Sequence, residues 1–207
     1  MESFLAFADG APVAALLLAA IVVTSVIGLG MAPRLLERCV LRPYWLVRNG
    51  EWPTVVTSTL VHADFAHLLF NAFTFWAFAF ALERTIGSAR FAALYAAGVL
   101  ASAAGTWLQH REEPRYRTLG ASGAILAVLF ASIVYHPKSS LYLLPLPVPI
   151  PAPVFAVGYL AYTVFAAQRG RGSVNHDAHL SGALVGLAFV ALTDAPAFVR
   201  AWHLLWS

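Results

Sequence analysis

Six apolar stretches, each close to the length of a membrane crossing, dominate this chain. They cover about residues 14–32, 65–82, 91–108, 119–135, 148–167 and 178–193, and no Asp, Glu, Lys or Arg interrupts them. A spanning helix needs about 20 residues. Lipid offers the backbone no hydrogen-bond partners, so such stretches must be helical. The supply of charge agrees: 60% of the 207 residues are apolar and 11% are charged, against about 25% charged in a soluble domain. A chain so poor in charge cannot cover a water-facing surface. The expectation is an all-α membrane protein, a bundle of six transmembrane helices forming one domain over residues 1–207, with short loops and no soluble domain. A net charge of +3 is too small to point to nucleic acid. Cys39 is the one cysteine, so an internal disulfide is excluded; it is given no role. The segment Met1–Pro12 has no Lys or Arg, so it lacks the basic region of a secretory signal, and the first stretch is expected to stay as a span.

One connection is long. Residues 33–57 carry Arg34, Glu37, Arg38, Arg42, Arg48 and Glu51 among Leu, Tyr and Trp. That mixture suits a segment lying at the interface rather than crossing it, with Tyr44, Trp45 and Trp52 at headgroup depth. The prolines Pro145, Pro147, Pro149, Pro151 and Pro153 mark a turn before the fifth stretch.

Ionisable groups inside a membrane are expensive and point to function. His67 and Asn71 stand at i and i+4 on the second stretch, so they share a helix face. Ser122 opens the fourth between Gly120 and Gly123, and His179 opens the sixth. Taken singly, each has a bland explanation: a membrane serine commonly bonds its own backbone, and an isolated His or Asn commonly joins helices. Together they amount to a set of parts for acyl transfer: a nucleophile and its base, and donors for an oxyanion. His179 also shares a face with Gly182 and Gly186, a small-residue face on which another helix can pack closely. The fourth stretch, with Ser122, Ala127 and Ala131, is the expected partner. Two other motifs were weighed. A nucleophile elbow needs a final glycine where Ala124 stands. A metal site built from His62, Asp64, His67, His176, Asp177 and His179 lacks the H-E-x-x-H spacing and stays as an alternative.

Gly120-Ala121-Ser122-Gly123, followed by Ala178-His179-Leu180-Ser181-Gly182 and Gly186, resembles the G-x-S-G and A-H-x-x-G-x-x-x-G signatures of rhomboid intramembrane serine proteases. The run from His62 through His67 to Asn71 is similar to the family's second span, and Glu83 with Gly87 and Ser88 to its E-x-x-x-G-S exit. The resemblance extends from about Thr57 to Ala191. There are two departures. The register of the family's Trp-Arg pair holds Pro53-Thr54, with Trp52 one place earlier, and Thr85 stands where an arginine is usual, beside Arg84.

The resemblance implies a six-helix bundle of the rhomboid type and an endopeptidase acting on transmembrane proteins. It implies Ser122 as nucleophile, His179 as base, and an oxyanion hole formed by His67, Asn71 and the Ser122 N–H. His62, Gly120, Gly123, Gly182 and Gly186 would support these groups. No cofactor and no metal are implied, and the partners are membrane-protein substrates and the bilayer of a bacterial cell membrane. The alternatives are a rhomboid-like protein that binds membrane helices without cutting them, and the metal-dependent hydrolase. A transporter is disfavoured by the lack of a charge relay. The loops after the first, third and fifth stretches hold nine of the 13 Lys and Arg residues. The positive-inside rule puts that side in the cytoplasm, whereas the family arrangement puts the active site, on the same side, outside. The side therefore stays open.

Overall fold

Proline starts four of the helices: α1 (Pro12–Gly30), α2 (Pro33–Cys39), α3 (Pro43–Arg48) and the last helix, α10 (Pro196–Trp206). At the first position of a helix the missing N–H leaves nothing unsatisfied. Between them run α4 (Thr54–Thr57), a 3₁₀ turn (Ser58–Leu60), α5 (Phe65–Ile86), α6 (Ser88–His110), α7 (Ser122–Tyr135), β1 (Ser140–Tyr142), β2 (Pro149–Pro151), α8 (Ala152–Arg169) and α9 (His176–Thr193). The computed structural model describes residues 8–142, 148–169 and 175–207.

Three helices, α1, α5 and α6, are long and apolar enough to cross a membrane, and the bent pair α9–α10 makes up to four. α7 and α8 are shorter apolar helices. The expected stretches correspond to α1 and α5 to α9 with shifted ends: the second runs on to Ile86, and the fourth begins at Ser122 rather than at residue 119. α7 is the axis of the bundle. Every residue from Gly123 to Val134 is buried, with α5, α6 and α9 packed around it. Protein neighbours therefore surround it on all sides.

Caps and one carboxylate fix the ends. Asp64 accepts the His67 N–H at 2.7 Å and starts α5; Asn175 accepts the Ala178 N–H at 3.0 Å and starts α9. Gly87, at φ +82°, takes the left-handed turn between α5 and α6. Glu83, on the last turns of α5, is fully buried. It accepts the Val13 N–H at 3.1 Å and the Ala14 N–H at 2.6 Å, two of the N–H groups that the first turn of α1 leaves without partners. Arg84 donates to the Asp9 carbonyl at 3.0 Å, so the end of α5 holds the start of α1 at two points.

Residues 33–57 form three short helices and are tied to the loop before α7. Leu41 and Thr118 bridge, the Trp45 indole donates to the Pro114 carbonyl at 3.3 Å, and Arg48 donates to the Arg111 carbonyl at 3.0 Å. Arg42 pairs with Glu51. Two elements were not expected. A hairpin pairs Ser140–Tyr142 with Pro149–Pro151, and α10 leaves α9 at 104°. Pro145 and Pro147 of the proline cluster lie outside the described residues.

Candidate active site

Ser122 is the first residue of α7, and its position rests on the two residues before it. Gly120 has φ +120°, a conformation that L side chains rarely adopt. A Cβ there would also stand 2.8 Å from His67 Cε1. The His67 ring therefore occupies the space of the missing side chain and meets His62 edge-on, with centroids 4.9 Å apart. The Ala121 N–H donates to His62 Nε2 at 3.3 Å. That leaves the hydrogen on Nδ1, which donates to Ser25 Oγ at 3.0 Å, and Ser25 in turn donates to the Leu60 carbonyl at 3.0 Å. This chain requires a neutral imidazole. Burial first, and then the neighbouring His67, pushes the His62 pKa down to about 3 against the opposing pull of Asp64. The Gly120 N–H donates to Ser58 O at 2.8 Å. The turn before Ser122 is thus fixed on both sides.

His179 reaches Ser122 because two helices touch through glycine. A Cβ on Gly182 would fall on the Gly123 carbonyl group, 3.2 Å from its Cα. One on Gly186 would stand 2.9 Å from Ala127 Cα. Gly123 itself has no room for a Cβ, which would meet Ser102 Cβ at 2.6 Å. With α9 lying this close on α7, His179 Nε2 is 2.7 Å from Ser122 Oγ. Behind the ring, Nδ1 is 2.9 Å from the Tyr159 hydroxyl on α8.

Ser122, His179, Asn71 and Tyr159 line one cavity of about 410 Å³, whose remaining walls are mostly apolar and include Phe70 and Phe155. Asn71 spends one amide hydrogen on the His67 carbonyl at 2.9 Å. An amide has two, so one remains for a group in the cavity. His67 is not part of this lining: it packs on Gly120 instead. The N–H groups in the first turn of α7 have no partners within the helix, and such a helix start favours a negative charge. The arrangement can therefore deprotonate a hydroxyl and receive an oxyanion beside it.

A Rhomboid domain matches residues 49–195. The chain belongs to the rhomboid family. It is 45% identical over 82 residues to the Bacillus subtilis protein named "Putative rhomboid protease YdcA", covering 40% of each chain. It is 39% identical over 87 residues to rhomboid protease GluP of the same organism, covering 42% of this chain and 16% of that one. With the mitochondrial RHOMBOID-like protein 12 of Arabidopsis thaliana it shares 28% over 156 residues, 67% of this chain and 45% of the relative. The chain thus spans less than half the length of each of these curated relatives. Family membership and the apolar helices make this an integral membrane protein.

In this rhomboid chain several members of the alternative metal set are engaged elsewhere. Asp64 caps α5, Asp177 pairs with His110 at 3.1 Å, and His62 and His179 have both ring nitrogens engaged. Among the described residues no three His, Cys, Asp or Glu side chains are placed to hold a metal ion. Asp177 is taken by His110, and among the described residues no carboxylate bonds His179 Nδ1, the place an orienting acid would hold. Tyr159 stands in that place, and the sequence reading missed it. The available signal was a tyrosine hydroxyl in mid-span, which needs a partner when buried.

Proposed function

We propose that this rhomboid is an intramembrane serine endopeptidase that cuts membrane-anchored proteins, with Ser122 as nucleophile and His179 as general base. The single observation that carries the reading is the 2.7 Å contact between Ser122 Oγ and His179 Nε2 at a cavity with an unspent amide donor. Ser122 Oγ gives its proton to Nε2 as it attacks the scissile carbonyl. The oxyanion is received by the N–H groups at the start of α7 and by Asn71. His67, packed on Gly120, holds the loop that presents those N–H groups. Tyr159 accepts the Nδ1 hydrogen, which keeps Nε2 free to take the proton. The imidazolium then protonates the leaving amine, and water, activated in its turn by His179, hydrolyses the acyl-enzyme.

The substrate is a helix with its peptide groups hidden in its own hydrogen bonds. It must unwind near the site, which Gly, Pro or small polar residues make cheaper. The frame is a single domain over residues 1–207 in which α1 and α5 to α9 form a six-helix bundle, α7 being shielded from lipid. A bacterial cell membrane is the proposed location; the mitochondrial relative is the reason to test it. The defining experiment places the protein in liposomes with a membrane-anchored reporter. Ser122→Ala and His179→Ala are expected to lose turnover by a factor on the order of 10⁶ each while remaining folded. A variant keeping a tenth of wild-type turnover would remove that residue from the dyad.

A further inference from the structure

Helix α4 separates two recesses that the catalytic reading does not use. On one side Arg34, Arg38, Arg42 and Arg117, with Glu37 and Glu51, line an open basin of about 840 Å³. Glu51 is taken by Arg42. Arg34, Arg38 and Arg117 form no hydrogen bond or ion pair with another described residue. Glu37 is the only other carboxylate in that lining, so the basin holds an excess of positive charge. Its depth is set by the chain: α2, which carries Arg34 and Arg38, begins at Pro33, directly after α1 ends at Gly30. That is headgroup level for a helix leaving the bilayer.

On the other side of α4, Leu46, Trp52, Val55 and Val56 face Leu100 and Trp107 of α6 across an apolar groove of about 520 Å³. Trp107 and Leu100 are seven residues apart, about 10 Å along the helix, so the groove runs from the interface into the hydrocarbon. The Arg111 guanidinium lies 5.2 Å from the Trp107 ring centroid, close to where the groove begins. Pro53 and Thr54 line the basin, and their neighbours Trp52 and Val55 line the groove.

We propose that this region binds an anionic phospholipid, with its phosphate among Arg34, Arg38 and Arg117 and an acyl chain in the groove beside α6. Charge complementarity selects an anion, and the adjoining apolar channel selects a lipid over free phosphate. A substrate segment is the poorer occupant. The Ser122 cavity is walled by α5, α7, α8, α9 and β1, whereas basin and groove are built from residues 33–57, α6 and Arg117.

The test uses the full chain in a neutral detergent, titrated separately with phosphatidylglycerol, phosphatidylcholine and inorganic phosphate. Retained lipid is read by native mass spectrometry and stability by the thermal midpoint. Phosphatidylglycerol is expected to be retained and to raise the midpoint, while phosphatidylcholine and inorganic phosphate do neither. Each basic residue near an anionic surface is worth about fivefold in binding. The variant Arg34→Gln/Arg38→Gln/Arg117→Gln is therefore expected to weaken phosphatidylglycerol binding on the order of a hundredfold. Ala104→Phe, which fills the groove, should lower retention with the basin intact. Equal retention of the two lipids overturns the proposal. So does a triple variant that binds like wild type, and so does a midpoint raised as much by inorganic phosphate as by phosphatidylglycerol. The wild-type arms decide the matter even if a variant fails to fold.

Discussion

His179 has a tyrosine behind it where a triad would have an acid. A carboxylate at Nδ1 would stabilise imidazolium by charge; the Tyr159 hydroxyl, 2.9 Å away, holds only the tautomer and the ring. The geometry of the base then rests on packing plus one neutral hydrogen bond. Such a bond is worth about 1 kcal/mol, so Tyr159→Phe is expected to lower kcat about five- to tenfold with KM unchanged. Fluorophosphonate should label the variant more slowly by the same factor. Labelling at the wild-type rate would mean that Tyr159 does not position the base. Ser122, His179 and Asn71 are legible in the sequence because a polar group is an anomaly inside an apolar stretch. Tyr159 is harder to single out, since tyrosine is at home in a membrane helix and only its mid-span position marks its hydroxyl as needing a partner. Spacing places His67 on a face with Asn71, and the fold adds that its ring fills the space above Gly120.

At the scale of elements, the α7–α9 contact sets the distance between Ser122 and His179. Gly182 lies against the Gly123 carbonyl, one turn from His179. A valine there must push the helices apart, and a misplacement near 1 Å can cost about a hundredfold in rate. Gly182→Val is expected to inactivate the protein and lower its thermal midpoint. Gly186→Ala, one turn farther from the catalytic pair and a smaller change, should be milder on both counts. Cleavage and melting measured together decide it, and a stable, fully active Gly182→Val would disconnect the packing from the chemistry. Glu83 makes a second element-level case. Its two charge-assisted bonds to the start of α1 are each worth about 1.5–3 kcal/mol. Glu83→Gln, which keeps one acceptor, should destabilise the bundle by a few kcal/mol, read from denaturant unfolding in micelles; an unchanged midpoint would show that α1 is held elsewhere. The glycine face was readable from spacing alone. The target of Glu83 was not, because the capped N–H groups lie 69 and 70 residues away. α10 escaped notice because an 11-residue amphipathic helix leaves no long apolar run to find.

For the whole molecule, the apolar stretches mark where α1 and α5 to α9 lie but not how long each must be. α7 has 14 residues and α5 has 22, a difference of about 12 Å along the axis. Because α7 is wrapped by its neighbours, its end need not reach the headgroups, and Ser122 can sit below the level at which the outer helices leave the membrane. A bundle this apolar thereby brings a hydroxyl, an imidazole and an amide to one cavity. The measurement that tests the central claim most directly is labelling of the detergent-solubilised protein by a fluorophosphonate probe, wild type beside Ser122→Ala. One probe per chain is expected, attached at Ser122, abolished by Ser122→Ala and by heat denaturation, and unaffected by EDTA. Equal labelling of wild type and Ser122→Ala, or no labelling of a folded wild type, would contradict an activated serine at this site.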